Sequence, residues 1–187
     1  MQVGVHLSNI PISTPLTYQN THSTRTHTKM VTSPETLKSQ LIGAWKLLSW
    51  CIEEENGNKL FPFGEHAEGI IMYTPDGFMS AQIMKPNAKQ WAVNDLIGGT
   101  QEEKADAMSH YVAYSGPFSV ELENGKLKLC HSMNVSLFPG WLGNTQERFC
   151  ELEGDRLQLS TPPMLTNVSR WNNPHRVCWR RVLNLAV

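Results

Sequence analysis

Residues 41–50 read LIGAWKLLSW, and this stretch indicates where a β-structure begins. From Trp45 onward the apolar residues recur with a period of two, as they do in a strand with one buried face. Gly43 stands two residues earlier, where a chain entering a strand turns sharply and a Cβ would crowd the neighbouring backbone. The alternation predicts one face with Trp45, Leu47, Ser49 and Cys51, and an opposite face with Leu48, Trp50 and Ile52.

Two short helices are predicted beside the strands. Ser33 offers a capping hydroxyl and Pro34 suits the first helical position, so a short helix precedes the first strand. Further along, Thr100 and Glu103 form a capping box. A helix is therefore predicted over residues 100–114, with an apolar stripe of Ala105, Met108 and Val112.

Seven later segments alternate like strands and are separated by turn sequences such as TPDG, ENGK and EGDR. They are residues 69–74, 78–84, 118–122, 127–135, 144–152, 157–161 and 175–182. About eight short strands with one helix between the third and the fourth favour an antiparallel sandwich or a closed barrel, because a parallel sheet needs a helix at each crossover. The predicted fold class is all-β with one or two short helices.

Composition limits the classes of partner and the location. Sixteen Lys and Arg against 17 Asp and Glu give a net charge of −1, and no basic run could follow a phosphate backbone, so nucleic acid is not expected. No window approaches the ~20 apolar residues of a membrane span. Without the apolar core of a secretory signal, a cytoplasmic protein is predicted. Residues 1–33 hold 11 Ser or Thr and no acid. A disordered tail is expected there, followed by one domain over residues 34–187.

Neither a metal site nor a cofactor is predicted. The four cysteines lie far apart without a Cys-x-x-Cys pair: Cys51, Cys130, Cys150 and Cys178. The four histidines outside the tail are scattered without ligand spacing. The P-loop, dinucleotide-binding and nucleophile-elbow motifs are absent.

His131 is a candidate site residue because it alternates with apolar residues and should point inward with them: Leu127, Leu129, Met133 and Val135. One possibility is a core histidine that is hydrogen-bonded to a neighbour. The other is a pocket histidine that acts as a general acid or base.

Arg148 is a second candidate, and its role depends on which face of its strand is buried. It shares a face with Gln146, Cys150 and Leu152. If that face is inward, Arg148 is a buried cation that needs a carboxylate, a hydrogen-bonding ring or a ligand anion. If the face is outward, Arg148 pairs with a neighbouring acid.

Three further features have alternative interpretations. Tyr111 and Tyr114 either deliver hydroxyls to a cavity or close a barrel end with their hydroxyls in water. Because the first and last strands of a closed barrel are neighbours, a late arginine such as Arg181 can stack on Trp45 as a closure device. The third feature is either an acid/base group at a cavity mouth or a solvated loop, and consists of Glu65, His66 and Glu68.

Five blocks of the sequence resemble, in the same order, the conserved blocks of the small lipocalin-like domain family of bacteria and fungi. Gly43-Ala44-Trp45 resembles the Gly-x-Trp signature that opens the first strand of lipocalins, and a late arginine over that tryptophan belongs to the same pattern. The blocks span nearly all of residues 40–182 and read LIGAWKLLSW, PFGEHAEGIIMYTPDGFMSAQIM, EEKADAMSHYVAYSGPFSV, SLFPGWLGNTQERFCELEGDRLQLSTPP and RVCWRRV.

This resemblance implies a calycin-type antiparallel barrel around a cavity. The family often carries a second histidine before the one that matches His131. Cys130 stands at that position here, so the resemblance implies no two-histidine mechanism.

The resemblance also implies a small hydrophobic ligand, and some fungal barrels of this kind are cofactor-free cyclases or isomerases of secondary metabolism. The leading hypothesis is such an enzyme acting on a polyketide or terpenoid intermediate, with His131 as acid or base and Tyr114 and Arg148 binding a carbonyl or anion. A passive carrier is the alternative, and an interaction module without a cavity is a third hypothesis. The sequence is compatible with a monomer or a homodimer. The predicted ligand-binding residues are Trp141, Tyr111, Gln146 and Met133.

Overall fold

The computed structural model describes Met1, residues 33–162 and residues 172–183. Apart from its two end residues, the predicted tail 1–33 lies outside the described residues. All described residues except Met1 belong to the unit Thr32–Val187. The helices are α1 (Pro34–Leu41), α2 (Gln101–Ser109) and a 3-10 turn (Pro139–Trp141). The strands are β1 (Gly43–Glu53), β2 (Lys59–Leu60), β3 (Glu68–Tyr73), β4 (Phe78–Met84), β5 (Tyr111–Glu123), β6 (Lys126–Ser132), β7 (Val135–Ser136), β8 (Thr145–Glu153), β9 (Arg156–Ser160) and β10 (His175–Arg181).

Eight of these strands form a closed antiparallel barrel. The order is β1-β3-β4-β5-β6-β8-β9-β10, and the last strand pairs with the first. The closing pair runs from Trp45 opposite Arg181 to Ile52 opposite His175. The two-residue strands β2 and β7 pair with β1 and β5. The all-β prediction is confirmed, and the structure decides for a closed barrel over a sandwich.

Helix α1 packs against the barrel at the start of β1. Ser33 caps the helix, because its side chain accepts a hydrogen bond from the Thr36 N–H. Leu37 and Leu41 are buried in the core of the barrel. The backbone then leaves the helix and enters β1 at Gly43, which has a φ of +123°. That φ lies in the region that L side chains rarely adopt.

Trp45 and Arg181 hold the seam where the barrel closes. Trp45 is fully buried, and its Nε1–H donates to the Leu41 carbonyl at 2.8 Å. The Arg181 guanidinium carbon lies 4.1 Å from the centroid of the Trp45 ring, which is the stacking that the sequence predicts. Arg181 Nη1 also donates to the Ile42 carbonyl at 2.8 Å. A Cβ on Gly43 would lie 3.2 Å from that same Nη1 atom, so the seam leaves little room for a side chain.

A β-bulge in β1 changes which residues face the interior. Leu47 pairs with Trp179 but Ser49 pairs with Cys178, so β1 has one extra residue at this point. An extra residue reverses the alternation beyond it. Trp50 therefore packs inward, edge-on to Phe63 with ring centroids 5.0 Å apart. The predicted faces of β1 are correct up to Leu48 and wrong beyond it.

The predicted helix 100–114 is too long. The capping box of Thr100 and Glu103 is present, but α2 ends at Ser109. From Tyr111 the chain is in β5, where it pairs with β4. No residue of α2 is buried, so Ala105 and Met108 of the predicted apolar stripe are not core residues. The third member, Val112, lies in β5 and packs against the core from there.

The end of the strand that contains His131 is also different from the prediction. β6 ends at Ser132, and Val135 lies in the separate short strand β7. Val135 is 66% exposed and does not continue the buried face of Leu129 and His131.

Candidate functional site

A cavity of about 270 Å³ lies inside the barrel. Its walls come from β1, β4, β5, β8, β9 and β10, from the end of α2, from the 3-10 turn and from loops beside the strands. Most of the lining is aromatic or aliphatic, with the aromatic part formed by Trp50, Phe63, Tyr114, Trp141 and Trp179. The polar residues of the lining are Ser109, Arg148, Thr161 and His175.

Arg148 is the charged group of this lining. It sits in β8 opposite Leu129 of β6 and is only 8% exposed. The two residues beside it in the chain, Glu147 and Phe149, are exposed, so the face of Arg148 is the inward one. The sequence left open whether Arg148 faces inward or outward, and in the structure it faces inward.

The Arg148 guanidinium makes one hydrogen bond and no ion pair with the residues that the structure describes. Its Nη1 donates to the backbone carbonyl of Glu147 at 2.7 Å. Among the described residues no carboxylate lies within ion-pair distance of it, whereas Lys128 contacts the carboxylates of Glu121, Glu123 and Glu147 on the outer surface. A guanidinium has five N–H donors, and a buried cation without a partner is destabilising by several kcal/mol. The cavity can therefore bind a ligand that offers Arg148 a negative charge or an oxygen atom that accepts a hydrogen bond.

Tyr114 and Trp141 form an aromatic wall in the same cavity. Their rings meet edge to face with centroids 5.6 Å apart. Trp141 is held by the 3-10 turn Pro139–Trp141 and also contacts Phe138 edge to face at 5.9 Å. Tyr114 comes from β5, and its hydroxyl has no hydrogen-bond partner among the residues that the structure describes. The wall can therefore pack against a ring and donate one O–H.

His131 lies behind the cavity and does not line it. It is fully buried, and its Nε2 is 3.1 Å from the Tyr73 hydroxyl. Burial, together with the positive charge of Arg148, lowers the pKa of His131 to about 3. Burial also raises the pKa of Tyr73 well above its ordinary value. The pair is uncharged at neutral pH. These features match the first alternative for His131, a core histidine that is hydrogen-bonded to a neighbour.

Three predicted ligand-binding residues lie away from the internal cavity. The Tyr111 hydroxyl donates to Gln82 Oε1 at 2.8 Å on the barrel surface. Gln146 donates to Asn144 Oδ1 at 3.0 Å, and Met133 is buried in the core. None of the three belongs to the lining of the 270 Å³ cavity. Glu65 and His66 lie in an exposed loop, as the second alternative predicts, whereas Glu68 is the exposed first residue of β3.

A larger depression of about 780 Å³ lies between the segment 85–91 and helix α2. Its walls are mainly exposed, and they include charged residues of both signs. Its most connected acid, Glu103, accepts hydrogen bonds from the backbone N–H groups of Thr100 and Ala92. The hydrogen bond from Thr100 is the main cause of the lowered pKa of Glu103. We assign these contacts to helix capping, and the internal cavity is the better candidate site.

Sequence reasoning missed Trp50, Tyr73 and His175. Trp50 was hidden by the bulge, whereas Tyr73 could have been found because it shares the inward face of β3 with Ile71. His175 lines the cavity and is 4% exposed; its Nδ1 accepts from Trp50 Nε1 at 3.3 Å. Its alternation with Val177 and Trp179 in β10 was the available signal.

The described part of the chain has neither a metal-ligating cluster nor a membrane-spanning helix. Over residues 33–162 and 172–183, no three His, Cys, Asp or Glu side chains are grouped in a way that could hold a metal ion. In the same residues, no helix is both long enough and apolar enough to cross a membrane.

Fold and cavity together define the class: a closed antiparallel barrel with an aromatic-lined pocket inside. The model of the lipocalin-like domain family matches residues 42–182, and the chain belongs to this family. The chain is 40% identical over 112 residues to the 4'-hydroxy-3'-methoxypropiophenone carrier protein ppsC of Aspergillus oryzae, an alignment that covers 58% of this chain and 100% of the relative. Among solved structures, the wild-type fluorescent protein UnaG matches 77% of this chain and 98% of its own chain, with 12% identity and a TM-score of 0.32.

Proposed function

We propose that this protein binds a small aromatic metabolite inside the barrel and carries it unchanged in a pathway of secondary metabolism. The observation behind the proposal is the cavity of about 270 Å³, with aromatic walls and one guanidinium. Sites for small molecules usually have mostly apolar walls and a few polar groups that orient the ligand.

The size and the walls of the cavity favour a ligand with one aromatic ring. Pockets for drug-sized ligands measure about 300–1,000 Å³, and this cavity is slightly smaller. Trp141 and Tyr114 present ring edges and faces, which suits edge-to-face contact with a ligand ring. Arg148 and the Tyr114 hydroxyl can each donate a hydrogen bond to a ligand oxygen.

The carrier role is supported by the name of the Aspergillus oryzae relative. That protein is named as the carrier of 4'-hydroxy-3'-methoxypropiophenone, a compound with one aromatic ring, a ketone, a hydroxyl and a methoxy group. A ligand of this class has the ring and the oxygen acceptors that the cavity of the present chain can accommodate.

A cofactor-free cyclase or isomerase is a second candidate function. Arg148 and Tyr114 favour it, because donors aimed at a carbonyl oxygen stabilise the negative charge that develops there. His131 is less suited to the acid or base role first assigned to it. Its Nε2 is bonded to Tyr73, its pKa is lowered to about 3, and it does not line the cavity.

Ligand titration with two matched variants tests the proposal. Binding of 4'-hydroxyacetophenone should quench the fluorescence of Trp50, Trp141 and Trp179, which line the cavity. Val177→Phe places a ring in the cavity and should weaken binding. Val135→Phe adds the same ring at a site that is 66% exposed and should leave binding unchanged.

The fate of the ligand separates the two functions. A carrier returns the compound unchanged after incubation, as chromatography would show. Turnover of a bound metabolite would move the assignment to the cyclase or isomerase. If neither this phenone nor related single-ring ketones bind, or if Val177→Phe binds as well as the wild-type protein, the proposed function is refuted.

A further inference from the structure

The position of Arg148 bears on the charge of the ligand as well as on its shape. The side chain is buried in the lining of the cavity, and the only hydrogen bond that it makes to another described residue goes to a backbone carbonyl. The three arginines of β10 differ from it. Arg176 pairs with Glu53 at 2.9 Å, Arg180 with Asp155 at 3.6 Å, and Arg181 with backbone carbonyls and the Trp45 ring.

The acids closest to Arg148 in the chain face away from the cavity. Glu147 and Glu151 project from the exposed face of β8, and Glu147 is bonded to Lys128 at 3.0 Å. No carboxylate belongs to the lining of the cavity among the residues that the structure describes. The positive charge inside the barrel is therefore not balanced there by a described side chain.

The other titratable groups around Arg148 add no negative charge near neutral pH. Burial raises the pKa of the Cys150 thiol to about 12 and raises that of Tyr73 as well. His131 is neutral, and His175 accepts a hydrogen bond from Trp50 through Nδ1. Tyr114 presents a phenol that can donate a hydrogen bond into the same cavity.

We propose that the cavity binds its ligand as a phenolate, with Arg148 as the counter-ion, and that the ligand class is therefore phenols acidified by a ring carbonyl. This inference rests on the proposed function. A carbonyl para to the hydroxyl delocalises the phenolate charge, so such phenols ionise closer to neutral pH than tyrosine, whose pKa is about 10. When the free ligand is a neutral phenol, binding releases its proton to solvent.

The pKa of a bound phenol should shift in opposite directions in the cavity with and without the guanidinium. An apolar cavity disfavours an anion and raises the pKa of a bound phenol, whereas a cation within ~4–6 Å lowers the pKa of an acid by about 1–3 units. Wild-type protein should thus bind the phenolate in preference to the phenol. Arg148→Met, which keeps an unbranched side chain but removes the guanidinium, should reverse the preference.

The experiment is a pH titration of 4'-hydroxyacetophenone by absorbance, since its phenolate absorbs at longer wavelength than its phenol. The bound probe should titrate below the free probe in the wild-type protein, and about 1–3 units higher in Arg148→Met. Arg180→Met is the matched control, because it removes a cation that is half exposed on the outer face of β10. In that variant the bound probe should titrate as in the wild-type protein.

A comparison of two ligands tests the inference without any variant. The methyl ether 4'-methoxyacetophenone keeps the ring and the ketone but cannot ionise. Above the pKa of the free phenol, wild-type protein should bind the phenol about tenfold or more tightly than the ether, which corresponds to a pKa shift of one unit or more.

The outcomes separate this inference from the proposed function. Equal binding of phenol and ether, or a bound probe that titrates at or above the free probe, overturns the phenolate assignment and leaves the carrier. A lowered value that persists in Arg148→Met also overturns it. Failure of both compounds to bind refutes the proposed function, and the phenolate assignment with it.

Discussion

Replacement of Trp45 by alanine should lower the free energy of unfolding by about 3–5 kcal/mol, the usual cost of removing a large buried aromatic side chain. Three features of the structure place Trp45 in this range. The side chain is fully buried, its Nε1–H donates to the Leu41 carbonyl at 2.8 Å, and its ring lies under the Arg181 guanidinium. The alanine variant loses the apolar contacts and leaves that carbonyl without its donor.

The contributions can be separated with a second variant. Trp45→Phe keeps most of the buried ring but removes the N–H, so it should cost less, about 1–3 kcal/mol for the unsatisfied carbonyl. For a domain of this size each kcal/mol lowers Tm by about 2–4 °C. Trp45→Ala should therefore melt about 6–20 °C below the wild-type protein.

Urea unfolding followed by circular dichroism measures the change, because this signal does not depend on the deleted fluorophore. The dissociation constant for the aromatic ligand, measured well below the new melting temperature, should stay unchanged, since Trp45 does not line the cavity. Trp91→Ala is the matched control: Trp91 lies in the outer depression and is only partly buried, so its loss should cost less. Loss of ligand binding at unchanged stability would show that Trp45 belongs to the binding site and refute its assignment to the seam.

Two further predictions concern the interior and the strand spacing. The pKa of His131 is about 3 in the folded protein and about 6.5 when unfolded, so the unfolded chain takes up the proton first and stability falls as pH drops below 6.5. Between pH 7 and pH 5, His131 should lower the free energy of unfolding by about 2 kcal/mol. Urea unfolding should show this contribution in the wild-type protein and not in His131→Gln. Gly116→Ala should destabilise the barrel by about 3 kcal/mol, because its Cβ would lie 1.9 Å from the Ser132 carbonyl oxygen; the exposed control Ser119→Ala should change little, and equal effects of the two would contradict this account.

The sequence predicted the barrel strands because each carries its own period-two pattern. Hairpin turns with glycine or asparagine at positive φ, such as Asn124-Gly125, marked where strands end. The start of β5 was missed since residues 111–114 also fit the helical spacing that began at Thr100. Pairing with β4, from Met84 opposite Tyr111 to Phe78 opposite Pro117, determines the strand there, and a long-range contact of this kind is not visible in local periodicity.

The alternation of inward and outward residues along a strand identified candidate site residues only where no bulge intervened. The leading hypothesis placed Arg148 and Tyr114 at the ligand, although the pattern alone left open the face of Arg148 and the position of the Tyr114 hydroxyl. In the structure both residues line the cavity. Trp50 was assigned to the wrong face because the bulge between Leu47 and Ser49 has no clear sequence signal. His131 was correctly turned inward, but the alternation gives a face and not a depth, so it could not show that the residue lies behind the cavity.

The groups that line the cavity stabilise an anion better than they create one. Arg148 supplies a positive charge and Tyr114 a hydrogen-bond donor, while the described lining holds no carboxylate that could remove a proton from a ligand. The Nδ1 atom of His175 already accepts from Trp50, and His131 is neutral, buried and bonded to Tyr73. General base catalysis requires an acceptor within hydrogen-bond reach of the proton that it removes. A ligand that ionises readily in water needs no such base. The arrangement therefore favours a protein that holds an acidic phenol over one that drives a proton transfer in it.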